Sequence, residues 1–441
     1  MPTFFRYKRL QEPYLLFNMR RYSNPRIGLV RAGPYDAFRH RNDEVHVGLI
    51  VESNVINDAK KFMEYLKLGY NYYKGFKSTF GVKDFVFNDR YVKTVDPASS
   101  NDVLRDIEYS YHELADNLPS GSTIIVVMDD DIIESNYIKI KAFKFSYHDK
   151  EVRLQLVRRS TLEMVLKDPD MLDFTLLNVA TAIYARAGGI PWVLEHELLP
   201  AGIFIGIAFT KPKSVGPDEF FYYGILTVYD KFGKYLDMRA RALRVRIPGV
   251  RKPRTKGLYI PRSDMEKLLE GIISDYKPPV VILHKSARFH EGEIAAVRNV
   301  LGGMGISYAL IHIESSNPYR GYGEISCNET VVRGDLIVDK ELNNRAILFT
   351  TGCIQSDRGV QKRAKPGTPK PLELEVEGNT TPYSAEDFAG QVLALTKLDW
   401  NTTDPEVRMP VTIKYARRAA ALMQVLSSQS GIVSMDLRDL I

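Results

Sequence analysis

Two adjoining stretches decide the fold: Asn178-Val-Ala-Thr-Ala-Ile-Tyr-Ala-Arg186-Ala-Gly-Gly189-Ile-Pro-Trp192, then Gly202-Ile-Phe-Ile-Gly206-Ile-Ala208-Phe209. Apolar spacing over 173–187 predicts an amphipathic helix. Gly188-Gly189 closes it, because glycine takes a left-handed C-cap without steric cost. Arg186 stands in the last turn, where a cation suits the helix dipole. The run 203–209 then reads as a buried strand.

Working outward, 441 residues are enough for two or three domains, each with its own core. A hydrophobic content of 44% and a charged content of 26% are globular values. The net charge of +6 permits nucleic-acid binding without requiring it. Cys327 and Cys353 are too few and too far apart for a disulfide framework or a zinc knuckle, which favours a reducing, intracellular setting. Residues 1–10 lack the apolar stretch of a secretory signal. The longest apolar run, 198–209, is about half of what a membrane span requires. A cytoplasmic protein that does not insert into membranes is expected.

The segment 1–40 is basic and interrupted by Pro13, Pro25 and Pro34. Residues 45–51 alternate as a strand, and 57–68 have helical spacing. The continuous β-branched run 122–128 suits a strand buried on both faces of a parallel sheet. The first 190 residues therefore read as α/β with a doubly wound character. Beyond them, strands 203–209 and 220–229 are expected to pair as a hairpin. A helix over 262–276 is expected to be capped by Ser263, with Glu266 completing a capping box. Strand 280–283, helix 290–301, strand 307–314, a Pro/Gly/Lys loop at 365–371, helix 384–396 and a last helix over 412–427 follow. Hairpin strands followed by β–α–β–α suit an RNase H-like sheet.

The first candidate site combines Tyr137, Lys141, Gln155 and Arg186. Tyr137 and Lys141 are four apart and share one helix face. A ring there can stack on a base while the ammonium meets a terminal phosphate. Gln155 adds a neutral donor and Arg186 a bidentate fork. Three weaker signals stand beside it. Asp129-Asp130-Asp131 follows a buried strand, as in a metal-dependent glycosyltransferase, though such carboxylates are commoner in solvated loops. His284 and His290 lack any metal-ligand spacing. The basic run 239–246 suits a nucleic-acid channel and an exposed strand or helix face equally.

Together these residues resemble the junction of the MID and PIWI domains of Argonaute proteins. The resemblance covers most of 120–427 and implies a Rossmann-like MID domain (1–190, with the N-terminal segment) followed by an RNase H-like PIWI domain (191–441). In that family a Tyr, a Lys, a Gln and further basic residues hold the 5′ phosphate of a guide strand. Tyr137, Lys141 and Gln155 match the first three, and Arg186 takes the last basic position. Ala182 stands where many members carry another Lys. The family's C-terminal carboxylate, at Ile441 here, often holds a Mg2+ or Mn2+ ion against that phosphate.

The resemblance also addresses catalysis. An RNase H-like nuclease clamps two metal ions about 4 Å apart with carboxylates or His on adjacent elements. At the three placeable positions this chain has Ala208, Ser286 and Arg417, and no glutamate finger can be assigned. The expectation is a guide-dependent binding protein without slicing activity. An active Argonaute slicer and a glycosyltransferase are the alternatives. Lys365-Pro-Gly-Thr-Pro-Lys-Pro371, Leu395-Thr-Lys-Leu-Asp-Trp400-Asn and Met409-Pro-Val411 resemble further family landmarks. No PAZ domain is evident, which resembles a short prokaryotic Argonaute. That likeness implies a 5′-phosphorylated guide RNA, a complementary DNA target, an APAZ-type partner with a separate effector, and a role in defence.

Overall fold

The computed structural model describes residues 5–146, 150–247, 249, 257–323, 330–339, 343–356, 359–361, 367–426 and 435–441. It divides into two compact units. One comprises Leu15–Val193, Asp399–Asp404 and Val425–Ile441; the other comprises Met1–Tyr14, Leu194–Leu398 and Pro405–Gln424. The break after residue 193 lies close to the expected 190/191 boundary. The difference is at the ends, where the first fourteen residues and the last seventeen each group away from their neighbours in sequence. Cys327, the residues Lys365-Pro366 and Ser427 lie outside the described residues.

In the unit containing Leu15–Val193, a parallel sheet is organised around Glu44–Glu52. That strand pairs with Asp84–Val86, Val92–Val95 and Thr123–Met128, and the last of these pairs with Arg153–Arg158. Every residue of Thr123–Met128 is buried, as its unbroken apolar run predicts. The helices Val103–Asn117 and Asp130–Ser146 cover one side, with Ile107, Tyr111, Leu114, Ile140 and Phe143 packed on Ile124 and Val126. Side chains of this size each gain about 1.5–3 kcal/mol on leaving water.

The helix ahead of the glycine pair runs from Pro169 to Arg186, four residues earlier than its spacing suggests. Asp168 caps it, accepting from the amides of Asp170 and Met171, and Pro169 fits the first turn. It is not amphipathic near its end: every residue from Val179 to Arg186 is buried. A periodic stripe could not show this, because the polar side chains in that stretch are themselves enclosed. Gly188 adopts φ +102°. Gly189 is required for a second reason, since a Cβ there would come within 2.2 Å of the Tyr184 ring.

The other unit holds a ten-stranded mixed sheet. Its order runs Phe5–Arg9, Asp335–Asp339, Arg345–Leu348, Leu372–Asn379, Ser307–Glu314, Val280–Lys285, Ile203–Phe209, Glu219–Tyr229 and Lys213–Gly216, with Tyr235–Arg246 also on Glu219–Tyr229. The three central strands are parallel. The expected hairpin forms between Ile203–Phe209 and Glu219–Tyr229. Helix Arg262–Tyr276 buries Met265, Leu269, Ile272 and Ile273 against the sheet. Its expected cap is corrected: Pro261 is the N-cap with no side-chain bond, Ser263 lies inside the helix, and Glu266 pairs with Arg262. Helix Val411–Leu426 begins directly against Gly206, where a Cβ would meet the Thr412 carbonyl oxygen at 2.0 Å. No helix among the described residues is long and apolar enough to cross a membrane.

Candidate functional site

Lys141 and Arg186 converge on one atom. The Lys141 ammonium donates to the main-chain oxygen of Ile441 at 2.9 Å, and the Arg186 guanidinium donates to the same oxygen at 2.8 Å. A second Arg186 nitrogen donates to the Gln155 side-chain oxygen, while the Gln155 amide donates to the Leu156 carbonyl at 3.0 Å. Arg186 is 1% exposed, held at the C-terminal end of helix Pro169–Arg186. The structure thus brings together Lys141, Gln155, Arg186 and Ile441 from a helix, a strand, a second helix and the tail. Tyr137 lies one turn before Lys141, its half-buried ring packed against the cluster that includes Ile133 and Ile140.

The tail is held by residues that the motif search did not single out. Arg153 is 2% exposed and donates to Asp439 at 3.0 Å, Glu151 at 2.9 Å and Asp436 at 3.4 Å. Lys144 pairs with the same Asp439 carboxylate. Asp436 and Asp439 also cap the short turn Leu437–Leu440 reciprocally. Two facts of spacing carry a signal for this clamp. Arg153 and Gln155 are two apart on one strand and so share a face, and Lys141 and Lys144 are three apart on one helix.

A neighbouring network fixes the end of the Arg186 helix. Asp36 accepts from the Ile190 amide at 2.9 Å and from the Tyr184 hydroxyl at 2.8 Å, and His40 bridges Asp36 and Asp43 at 3.1 and 2.7 Å. Hydrogen bonds to Asp36 and Asp43 raise the His40 pKa against the opposing effect of burial.

In the ten-stranded sheet, Ile207 is in register with Lys285. Ala208 and Ser286 therefore stand level, one residue beyond that pair, at the C-terminal edge of the parallel strands. Arg417 lies on helix Val411–Leu426, the helix that starts against Gly206, and is attracted by Glu314 at the end of strand Ser307–Glu314. Just below that edge, the Lys285 ammonium is buried against Glu293 at 2.6 Å, with Phe209 and Phe289 on either side.

The remaining sequence signals make local contacts. Asp129 accepts from the Asp131 amide at 3.0 Å, and Asp130 binds the amide and hydroxyl of Ser160. His284 is fully buried, with Nδ1 3.0 Å from the Thr412 hydroxyl, and burial pushes its pKa down to about 3. His290 is the N-cap of helix Glu291–Val297 and stacks on Tyr259. The run 239–246 falls on strand Tyr235–Arg246, where Arg239, Arg241 and Arg244 pair with Asp237 and Asp275, Asp264, and Glu219 respectively.

No family model matches the chain. Among curated proteins it is 23% identical over 441 residues to the protein argonaute of Cereibacter sphaeroides, covering 91% of this chain and 53% of the relative. It is 23% identical over 306 residues to the protein argonaute of Aquifex aeolicus, covering 65% of this chain and 37% of that one. The structure superimposes on Clostridium butyricum Argonaute bound to a guide DNA and a 19-mer target DNA with a TM-score of 0.67, at 18% identity, covering 95% of this chain and 53% of that one. Aquifex aeolicus Argonaute with externally bound siRNA gives 0.69 at 17% identity, covering 98% and 56%. Marinitoga piezophila Argonaute in complex with a 5′ OH guide RNA gives 0.61 at 14% identity, covering 94% and 57%. The chain spans about half the length of these proteins or less. It is Argonaute-like, with the α/β fold of the MID and PIWI regions of those larger proteins.

Proposed function

We propose that this chain holds the 5′ end of a guide strand and presents the guide for pairing with a complementary target, without cutting that target. One observation carries the reading: Lys141 and Arg186 meet at a single oxygen of Ile441, with Gln155 bonded to Arg186. Two cationic donors and a neutral amide suit a terminal phosphate, whose oxygens accept charge-assisted bonds. Base pairing supplies the sequence specificity, and the protein grips the backbone and its shape.

A carboxylate and a phosphate drawn to the same cations repel each other, so a counter-ion between them fits the donor set. The Ile441 terminus would hold a Mg2+ or Mn2+ ion, which would neutralise that repulsion when bound. Lys141 and Arg186 orient both groups around it.

Ala208, Ser286 and Arg417 support the absence of slicing, because neither methyl, hydroxyl nor guanidinium can anchor the metal pair that this chemistry uses. The guide is a 5′-phosphorylated RNA and the target DNA. In the cell the complex acts in the cytoplasm in defence against invading DNA, and an APAZ-type partner with a separate effector does the damage. Sequencing the nucleic acid that co-purifies with the chain, with its 5′ chemistry determined, tests the first half. Cleavage of a labelled target with guide and Mg2+ or Mn2+ tests the second, and specific scission would overturn it in favour of an active slicer.

A further inference from the structure

We infer that His312, Glu375 and Glu377 form a binding site for one first-row divalent cation, Zn2+ or Mn2+, on the ten-stranded sheet. His312 lies on strand Ser307–Glu314, directly opposite Glu375 on Leu372–Asn379. The register shifts between Leu310 and Ile311, which leaves Glu377 as the extra residue opposite that step. Such a bulge re-aims the side chain it carries. As a result, one donor atom from each of the three residues lies within 4.8 Å of the others.

The distances suit a shared ion better than direct bonding. The His312 Nδ1 atom is 3.8 Å from a Glu375 oxygen and 3.9 Å from a Glu377 oxygen. Those gaps are too long for hydrogen bonds. Ligands about 2.0–2.2 Å from one metal ion stand roughly 3–4 Å apart. His312 is 8% exposed, and among the described residues its ring makes no hydrogen bond.

Arg288 now occupies the entrance. Its exposed guanidinium donates to Glu375 at 2.8 and 2.5 Å and to Glu377 at 3.2 Å. The Phe289 amide holds the other Glu377 oxygen at 2.6 Å. Arg288 therefore competes with the ion. Mixed imidazole and carboxylate donors select Zn2+ or Mn2+ over Ca2+.

The test is calorimetric titration of the full chain, stripped with chelator and free of guide, with ZnCl2 and separately with MnCl2. One ion should bind. Glu377→Gln and His312→Gln should each weaken it by more than the roughly 10–100-fold typical of losing an outer partner, with thermal melts showing that both variants fold. Arg288→Ala should tighten it about tenfold by removing the competing charge. No binding by the wild type, unchanged binding in the folded Gln variants, or weaker binding in Arg288→Ala would each overturn the assignment.

Discussion

Lys141→Ala isolates the contribution of the proposed 5′ pocket, because the residue is only half buried and its removal leaves Arg186 and the tail clamp in place. In the structure the ammonium makes a charge-assisted bond at 2.9 Å. Bonds of that kind contribute about 1.5–3 kcal/mol net. When the same ammonium serves a guide phosphate, its loss should lower affinity by about 10- to 150-fold. The effect should be confined to the phosphorylated end. A 5′-hydroxyl guide of the same sequence should bind the variant and the wild type alike, and the slope of log affinity against log salt should fall by about 0.7 for the lost phosphate contact. Adding Arg186→Ala should erase the remaining preference, whereas Lys141→Arg should retain most of it. Fluorescence anisotropy with matched phosphorylated and hydroxyl guides, as RNA and as DNA, reads all of this. Equal affinity of the wild type for both ends, or equal losses on both ends in Lys141→Ala, would refute the reasoning.

Other perturbations follow from named contacts. Arg333 is buried, donating to Glu12 at 2.9 Å, to the Leu393 carbonyl at 3.1 Å and to the Thr396 hydroxyl at 2.6 Å. Arg333→Met should therefore cost about 3–5 kcal/mol, lowering the melting temperature measured by calorimetry by roughly 6–20 °C. His40 has a raised folded pKa, so its stabilising contribution is fully present below the unfolded value near 6.5 and is lost as pH rises through the folded one. The melting-temperature gap between wild type and His40→Ala should be wider at pH 5.5 than at pH 9, and a gap that widens with pH would contradict this. Arg417→Asp exchanges an exposed cation for an anion, so without divalent ions it should weaken target binding on the order of tenfold at low salt. Filter binding at two salt concentrations reads the change, and tighter binding would count against it.

Much of this architecture was legible because periodicity and packing agree. Ser307–Glu314 falls where the apolar run predicts, and Thr123–Met128 needs no polar face because helices cover it. Legibility failed where a polar residue is buried with a partner. The end of the Arg186 helix looks amphipathic in sequence, yet Thr181 donates to the Leu177 carbonyl and Tyr184 to Asp36, so neither needs solvent. The Ser263 cap failed for a local reason, because Pro261 has already fixed the backbone entry to that helix. Lys141, Gln155 and Arg186 were singled out through the family resemblance, and the structure places their side chains around one oxygen of Ile441. The clamp of Arg153, Lys144, Asp436 and Asp439 was not, since local spacing sets Arg153 beside Gln155 and Lys144 beside Lys141 but says nothing of partners nearly 300 positions away.

The two candidate centres are linked by charge. In a metal-dependent nuclease, carboxylates at the sheet edge are tolerated beside a phosphate backbone because bound cations neutralise them. Once cutting is lost, those carboxylates only repel the duplex, and a change to Ala, Ser or Arg removes that repulsion. Ala208 and Ser286 are uncharged and Arg417 is cationic, which is the balance expected of a surface that binds phosphodiesters without metal ions. At the proposed 5′ pocket the residues are instead cationic, and Lys141 and Arg186 both donate to Ile441 of the tail. On the proposed reading, the cationic pair Lys141 and Arg186 and the uncharged or cationic Ala208, Ser286 and Arg417 both favour holding nucleic acid over cutting it.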